Sequence, residues 1–440
     1  MYNNSPLCNL KQMRYGCSPG AAPASKNQTW LLFMLLKWLI CGSQPPINTP
    51  EPGPEPIIPC CDGFLYKVQS GDTLWNIGQR YGFTVEQLMN VNPHINDPDL
   101  IFEGQFLCIP ENKERVSLSY LFGTTSYRYL ELLSKTQNSL NTVCPDFMEL
   151  DFGGNLVLAG ANKLNRPFLD VLHGQGLKII PFLANHWNRE IGIAALQNRD
   201  RLSGQIAEAV ETYGFDGVDV DIENVTHEHR DMYTDFMRLL REKIPADKLV
   251  TTAVAANPRG FTTGWHGSYD YKRLADYCDY LMIMNYDEHF YGSAPGPVSS
   301  AGFFKGSIRF ALEQGVPKEK IVSGVPFYGR AWKRGDVISG IGLANRDVEY
   351  LLAHYESTSS FDTTAQSARA TVTINPGELE PDIWGGRKLT AGIYDIWYDS
   401  PKATRYKLDV IRQYDLRGAG SWALGQEILT VWDFWKSALV

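Results

Sequence analysis

The sequence is short of several features that define large protein classes. No run of about 20 apolar residues is present, so no segment reads as a comfortable membrane span. Basic charge is not in excess. Lys and Arg total 41 against 49 Asp and Glu, a net charge of −8, which argues against the basic surface that nucleic acid requires. Cysteine is sparse (8 in 440 residues) and forms no CxxC pair, so a zinc site is not indicated. Cys60 and Cys61 are adjacent, while Cys108, Cys144 and Cys278 read as single core residues. His227 and His229 are too close in sequence to share a helical face, so a loop or helix-start role is expected rather than a metal site. Nothing calls for a cofactor.

The first 59 residues do not read as a folded domain. The segment Trp30–Ile40 is apolar apart from Lys37 and has the length of a signal-peptide core, with Lys11, Arg14 and Lys26 before it. It starts late and no clear small-x-small cleavage site follows; Cys41 invites a lipoprotein reading, but bulky Ile40 sits where a small residue is expected, so cleavage stays open and a poorly ordered leader is expected. The leader cysteines Cys8, Cys17 and Cys41 are expected to be free thiols. From Gln44 to Pro59 a proline-rich stretch reads as an extended linker.

What is present centres on Phe215–Asn224, with four carboxylates among apolar residues. Val218, Val220 and Ile222 alternate with Asp219, Asp221 and Glu223. Side chains alternate along a strand, so the aliphatics share one face and these three acids the other. Unpaired buried carboxylates cost several kcal/mol, so the acidic face must line a polar hollow, which suggests acid chemistry. Asp216 has the opposite parity and is given a supporting role. A calcium loop is the competing reading of the three acids, but no glycine follows at the turn position.

Residues 64–110 form a compact unit. Leu65–Val68 reads as a strand, Asp72 or Thr73 caps a helix carrying Leu74, Ile77 and Tyr81, and Gly82 stops it. Val85, Leu88 and Met89 give a second helix broken at Asn92-Pro93, and Phe106–Ile109 closes as a strand. The run Tyr66–Ile77, with Asn90–Pro93 and Gly104-Gln105, resembles a LysM domain. The resemblance implies binding to N-acetylglucosamine glycans, peptidoglycan or chitin, through loops containing Gly71, Asp72, Thr73, Pro93 and Ile101. A small protein-docking module is the competing reading.

From Arg115 onward, strand-like runs alternate with amphipathic segments such as Gly204–Tyr213 and Arg230–Ile244. The runs are Val116–Phe122, Phe147–Phe152, Leu177–Leu183, Phe215–Glu223, Lys248–Ala255, Tyr280–Tyr286, Ile321–Tyr328 and Gly420–Leu424. This rhythm predicts an α/β fold, a (β/α)8 barrel over 115–440, with residues 333–393 as a small α+β insertion after the seventh strand. Chemistry in such barrels sits at the C-terminal strand ends, where Glu223, Tyr286, Asp287, Tyr328, Arg330 and Trp422 fall.

The spacing Asp216-x-x-Asp219-x-Asp221-x-Glu223 resembles the DxxDxDxE signature of glycoside hydrolase family 18. Met284–Asp287, Gly324–Arg330 and Gly420–Gly425 match the family's sixth, seventh and eighth strands. With the LysM unit, Asp287–His289 and Gly296–Val298, the chain looks most similar to the N-acetylglucosaminidases of spore-cortex fragments. The resemblance implies that Glu223 protonates the glycosidic oxygen, that Asp221 holds the substrate acetamide beside Asp219, and that Tyr286 fixes the acetamide oxygen. It implies substrate contacts from Trp422, Asp287, Asn285, Tyr328 and Arg330, and retention assisted by the substrate. It also implies a place at the cell envelope, spore coat or outside the cell. A chitinase would carry the same catalytic residues, and a catalytically silent glycan-binding barrel is the other alternative.

Overall fold

A computed structural model describes residues 63–110 and 115–439. The leader, the proline-rich linker and Cys60-Cys61 lie outside the described residues.

The N-terminal unit is a βααβ fold. Gly63–Lys67 pairs antiparallel with Phe106–Pro110. Thr73 caps the helix Leu74–Tyr81 by accepting from the Asn76 N–H, and left-handed Gly82 ends it. Thr84 and Gln87 form a capping box on Val85–Val91. Leu74, Ile77, Leu88, Leu107 and Ile109 are the fully buried centre. Cys108, expected as a single core residue, is disulfide-bonded, which corrects that reading. Cys144 and Cys278 are free and buried.

The larger unit is a (β/α)8 barrel. Val116–Leu121, Thr142–Pro145, Lys178–Ile179 with Phe182–Ala184, Gly217–Asp221, Leu249–Ala255, Tyr280–Met284, Ile321–Pro326 and Gly418–Trp422 follow one another in parallel around the ring. The third strand is interrupted at Pro181, yet the ring closes there. The Ile180 N–H donates to Val143 C=O, and the Asp216 N–H to Ile179 C=O.

The second barrel strand was expected at Phe147–Phe152 and instead occupies Thr142–Pro145. Part of the apolar run, Met148–Leu150, forms a hairpin with Leu156–Leu158 and pairs parallel with Phe182–Ala184.

Two buried layers hold the barrel. Inside, Leu118, Tyr120, Phe182, Tyr280, Met282 and Val322 fill the ring. Outside, Val218, Val220 and Ile222 face the helices, so the alternation predicted for this strand is realised. Fully burying one such aliphatic contributes about 1.5–3 kcal/mol. After the seventh strand, Tyr328–Lys333, Ile341–Ala344, Glu356–Asp362, Ser367–Ile374 and Gly392–Tyr398 form a five-stranded antiparallel sheet with its own core and the helix Asn345–His354. This sheet draws on residues on both sides of 333–393.

Candidate active site

Asp219 is 1% exposed inside the barrel. Burial pushes its pKa up, while two short hydrogen bonds favour the charged form. The Tyr120 hydroxyl donates to Oδ2 at 2.6 Å and the Thr251 hydroxyl to Oδ1 at 2.6 Å. Both oxygens are occupied by hydroxyl donors, an arrangement unlike a calcium loop.

Asp221 lies one pleat nearer the strand end, 8% exposed. Its Oδ1 is buried with no hydrogen-bond partner among the described residues. Burial, then the charge of Asp219, pushes its pKa up to about 7. Glu223 follows in the turn beyond the strand and is partly exposed. Burial raises its pKa well above the usual carboxylate range, reinforced by Asp221 and Asp287. Close carboxyls cannot all ionise; the hydroxyl donors favour the charged form of Asp219, while Asp221 and Glu223 keep their protons to higher pH than an ordinary carboxyl.

Tyr286 stands two residues beyond the sixth strand. Its hydroxyl pKa is raised by burial and by Asp221 and Glu223, which places the ring among the acids. Gly324 makes this possible, because a Cβ there would come within 2.9 Å of the Tyr286 ring. Tyr328 packs edge-on against Tyr286 with centroids 5.9 Å apart. Asp287 has a left-handed backbone (φ 61) and receives the Arg330 guanidinium, Nη2 at 2.6 Å and Nε at 3.1 Å. Trp422, last on the eighth strand and partly exposed, rests against Tyr120, Phe122 and Phe182 at centroid distances of 5.3, 5.4 and 6.1 Å.

Asn285 departs from the expected substrate contact. It is fully buried, its Nδ2 donating to Phe304 C=O at 2.9 Å and Ser323 Oγ at 3.2 Å. The chain alternates at this strand end, so Tyr286 reaches the acids and Asn285 does not. Asp216 ties the base of the fourth strand, accepting from the Ile179 N–H at 2.9 Å and lying 2.9 Å from His173 Nε2. Among the described residues no cluster of His, Cys, Asp and Glu is arranged to hold a metal ion.

In the N-terminal unit, Gly71 is exposed with a left-handed backbone and open space around it. Asp72 is committed internally, accepting from the Tyr66 hydroxyl at 2.6 Å and the Gln69 N–H at 2.8 Å. Thr73 is the helix cap, Pro93 is exposed, and Ile101 packs partly buried on the small core. Beside them Leu100 and Phe102 are exposed, at 58% and 67%.

One residue that the motifs do not mark is Asn185, after the third strand. Its amide bonds the main chain of Glu223 in both directions at 2.8 Å.

Comparison with known proteins agrees with this geometry. The model for glycosyl hydrolases family 18 matches residues 185–427, more than half the chain, and the LysM model matches residues 66–110. A Bacillus subtilis protein assigned as a sporulation-specific glycosylase is 27% identical over 388 residues, covering 85% of this chain and 86% of that protein. The cortical fragment-lytic enzyme of Bacillus subtilis is 25% identical over 265 residues, 58% of either chain. The crystal structure of the Bacillus cereus spore cortex-lytic enzyme superposes with a TM-score of 0.65 at 21% identity, over 86% of this chain and 87% of that one. With its acid ladder at the mouth of a (β/α)8 barrel, the chain belongs to glycoside hydrolase family 18.

Proposed function

We propose that this glycosidase cleaves the bond after N-acetylglucosamine in bacterial peptidoglycan of the spore-cortex type, with retention and with the substrate's own acetamide as nucleophile. The observation that carries the reading is the ladder Asp219–Asp221–Glu223, graded from a doubly hydrogen-bonded carboxylate to a protonated acid at the mouth. Glu223 gives its proton to the glycosidic oxygen, and the bond from that oxygen to the anomeric carbon breaks. The acetamide oxygen bonds the anomeric carbon and forms an oxazolinium ion. Water then opens that ion, returning a proton to Glu223. The buried Oδ1 of Asp221, without a partner among the described residues, suits the acetamide N–H and the positive charge that develops there. Tyr286 orients the acetamide oxygen, Trp422 forms the sugar's floor, and Asp287 with Arg330 and Tyr328 line one side.

Likeness to a cortical fragment-lytic enzyme and to a sporulation-specific glycosylase supports peptidoglycan as the glycan. The LysM unit supports attachment to N-acetylglucosamine polymers of the wall, with Gly71, Asp72, Thr73, Pro93 and Ile101 forming or supporting the binding loops, and a location at the cell envelope or spore coat.

The test is mass spectrometry of products from cortex fragments and from chitin oligomers. Products ending in reducing N-acetylglucosamine from cortex, with little action on chitin, are expected. Strong cleavage of chitin alone reassigns the substrate, and no product from either contradicts the enzymatic reading.

A further inference from the structure

Glu223 stands in a turn beyond the fourth strand, where the barrel ladder no longer holds the backbone. Asn185 supplies what the ladder lacks. Its Oδ1 accepts from the Glu223 N–H at 2.8 Å, and its Nδ2 donates to the Glu223 carbonyl and to the Asn188 carbonyl, each at 2.8 Å. The last strand pair below it is Ala184 with Asp221, so the side-chain amide continues the pairing that the backbone has abandoned.

The next residue is held as firmly. Asn224 is left-handed at φ 61, and its Nδ2 donates to the Trp187 carbonyl at 2.9 Å. Arg189 donates to the Asn224 carbonyl at 2.8 Å and to its Oδ1 at 2.9 Å. From the other side the Tyr269 hydroxyl donates to the Ile222 carbonyl at 3.1 Å. Gly192 leaves the room Asn185 needs, because a Cβ there would lie 2.8 Å from Asn185 Nδ2. Asn185 is 1% exposed, so it reaches a substrate only through Glu223.

We propose that Asn185 is a positioning residue for the general acid, its amide fixing the Glu223 main chain so that the carboxyl is aimed at the glycosidic oxygen. The inference rests on Glu223 being that acid. A misplacement of about 1 Å costs on the order of 100-fold in rate, so a main-chain clamp is a substantial part of the catalytic geometry.

The test compares two leaving groups on the full chain. A soluble cortex oligomer, cut after N-acetylglucosamine, must have its leaving oxygen protonated, whereas a dinitrophenyl glycoside of N-acetylglucosamine loses a stable phenolate that needs no proton. Asn185→Ala is expected to lower kcat on the oligomer about 100-fold and on the dinitrophenyl glycoside less than about fivefold, with KM little changed. Asn185→Asp keeps the acceptor for the Glu223 N–H and loses the donor. It is expected to fall between wild type and Asn185→Ala, and it carries the test if the alanine variant does not fold. Equal losses on both substrates, or wild-type kcat on the oligomer, overturn the proposal. Glu223→Gln on the same pair separates the two levels. Retained oligomer turnover there removes the acid assignment itself, while selective loss in Glu223→Gln without it in the Asn185 variants rejects Asn185 alone.

Discussion

Tyr120 reaches across the barrel interior from the first strand and donates its hydroxyl to Asp219 at 2.6 Å. Tyr120→Phe leaves a buried carboxylate with one hydroxyl donor, from Thr251. The expected loss of stability is about 1–3 kcal/mol. Turnover should fall roughly tenfold, because the fixed negative charge behind Asp221 is weakened. Thermal melts and kcat check this, and unchanged values for both contradict the role given to Asp219.

Asp221 makes the protein's stability depend on pH. Its folded pKa of about 7 lies above the ordinary 3.8, so the native state holds the proton more tightly. The stability it adds is present in full below the unfolded value and is lost as pH rises through the folded one. Wild type should therefore lose stability between about pH 4 and pH 8, by at most about 4 kcal/mol from this group. Asp221→Asn should flatten that loss while removing activity. Denaturant titrations across the range check it, and an unchanged slope contradicts the assignment.

Arg330 holds Asp287 with two guanidinium nitrogens. Arg330→Lys keeps the charge but loses the fork. On the proposal that both residues contact sugar hydroxyls, the expected result is a KM raised about tenfold with kcat within about threefold. A fall in kcat at constant KM would move the pair into the chemistry.

In the LysM unit, Leu100 and Phe102 flank Ile101 in sequence and present exposed apolar surface. Replacing both by Ala should weaken retention on insoluble wall about tenfold, equivalent to about 1.4 kcal/mol. Turnover of soluble fragments should not change. Co-sedimentation and kcat together check this, and equal loss in both assays makes the unit part of the barrel's support.

Much of this was legible because it follows the strand period. The acids and aliphatics of Val218–Glu223 separate by alternation, and Thr73 and Gly82 end their helix for ordinary capping reasons. What was missed has equally physical causes. The second barrel strand, Thr142–Pro145, is four residues long and less apolar than the run that follows it. Asn285 lies inside a motif whose neighbours face the cleft, and only its buried amide contacts reveal the other direction. Asn185 is 38 residues from Glu223 in sequence, so no local pattern marks it. Asp72 sits in a loop read as ligand-facing but spends one oxygen on Tyr66 and Gln69 and the other on Arg80.

The most direct test of the account is turnover of soluble cortex fragments by Glu223→Gln, alongside its circular dichroism. The amide has nearly the shape of the acid and no proton to give, so a native spectrum with kcat reduced by at least about 1,000-fold is expected. A native spectrum with turnover within about tenfold of wild type would contradict the assignment of Glu223 as the acid.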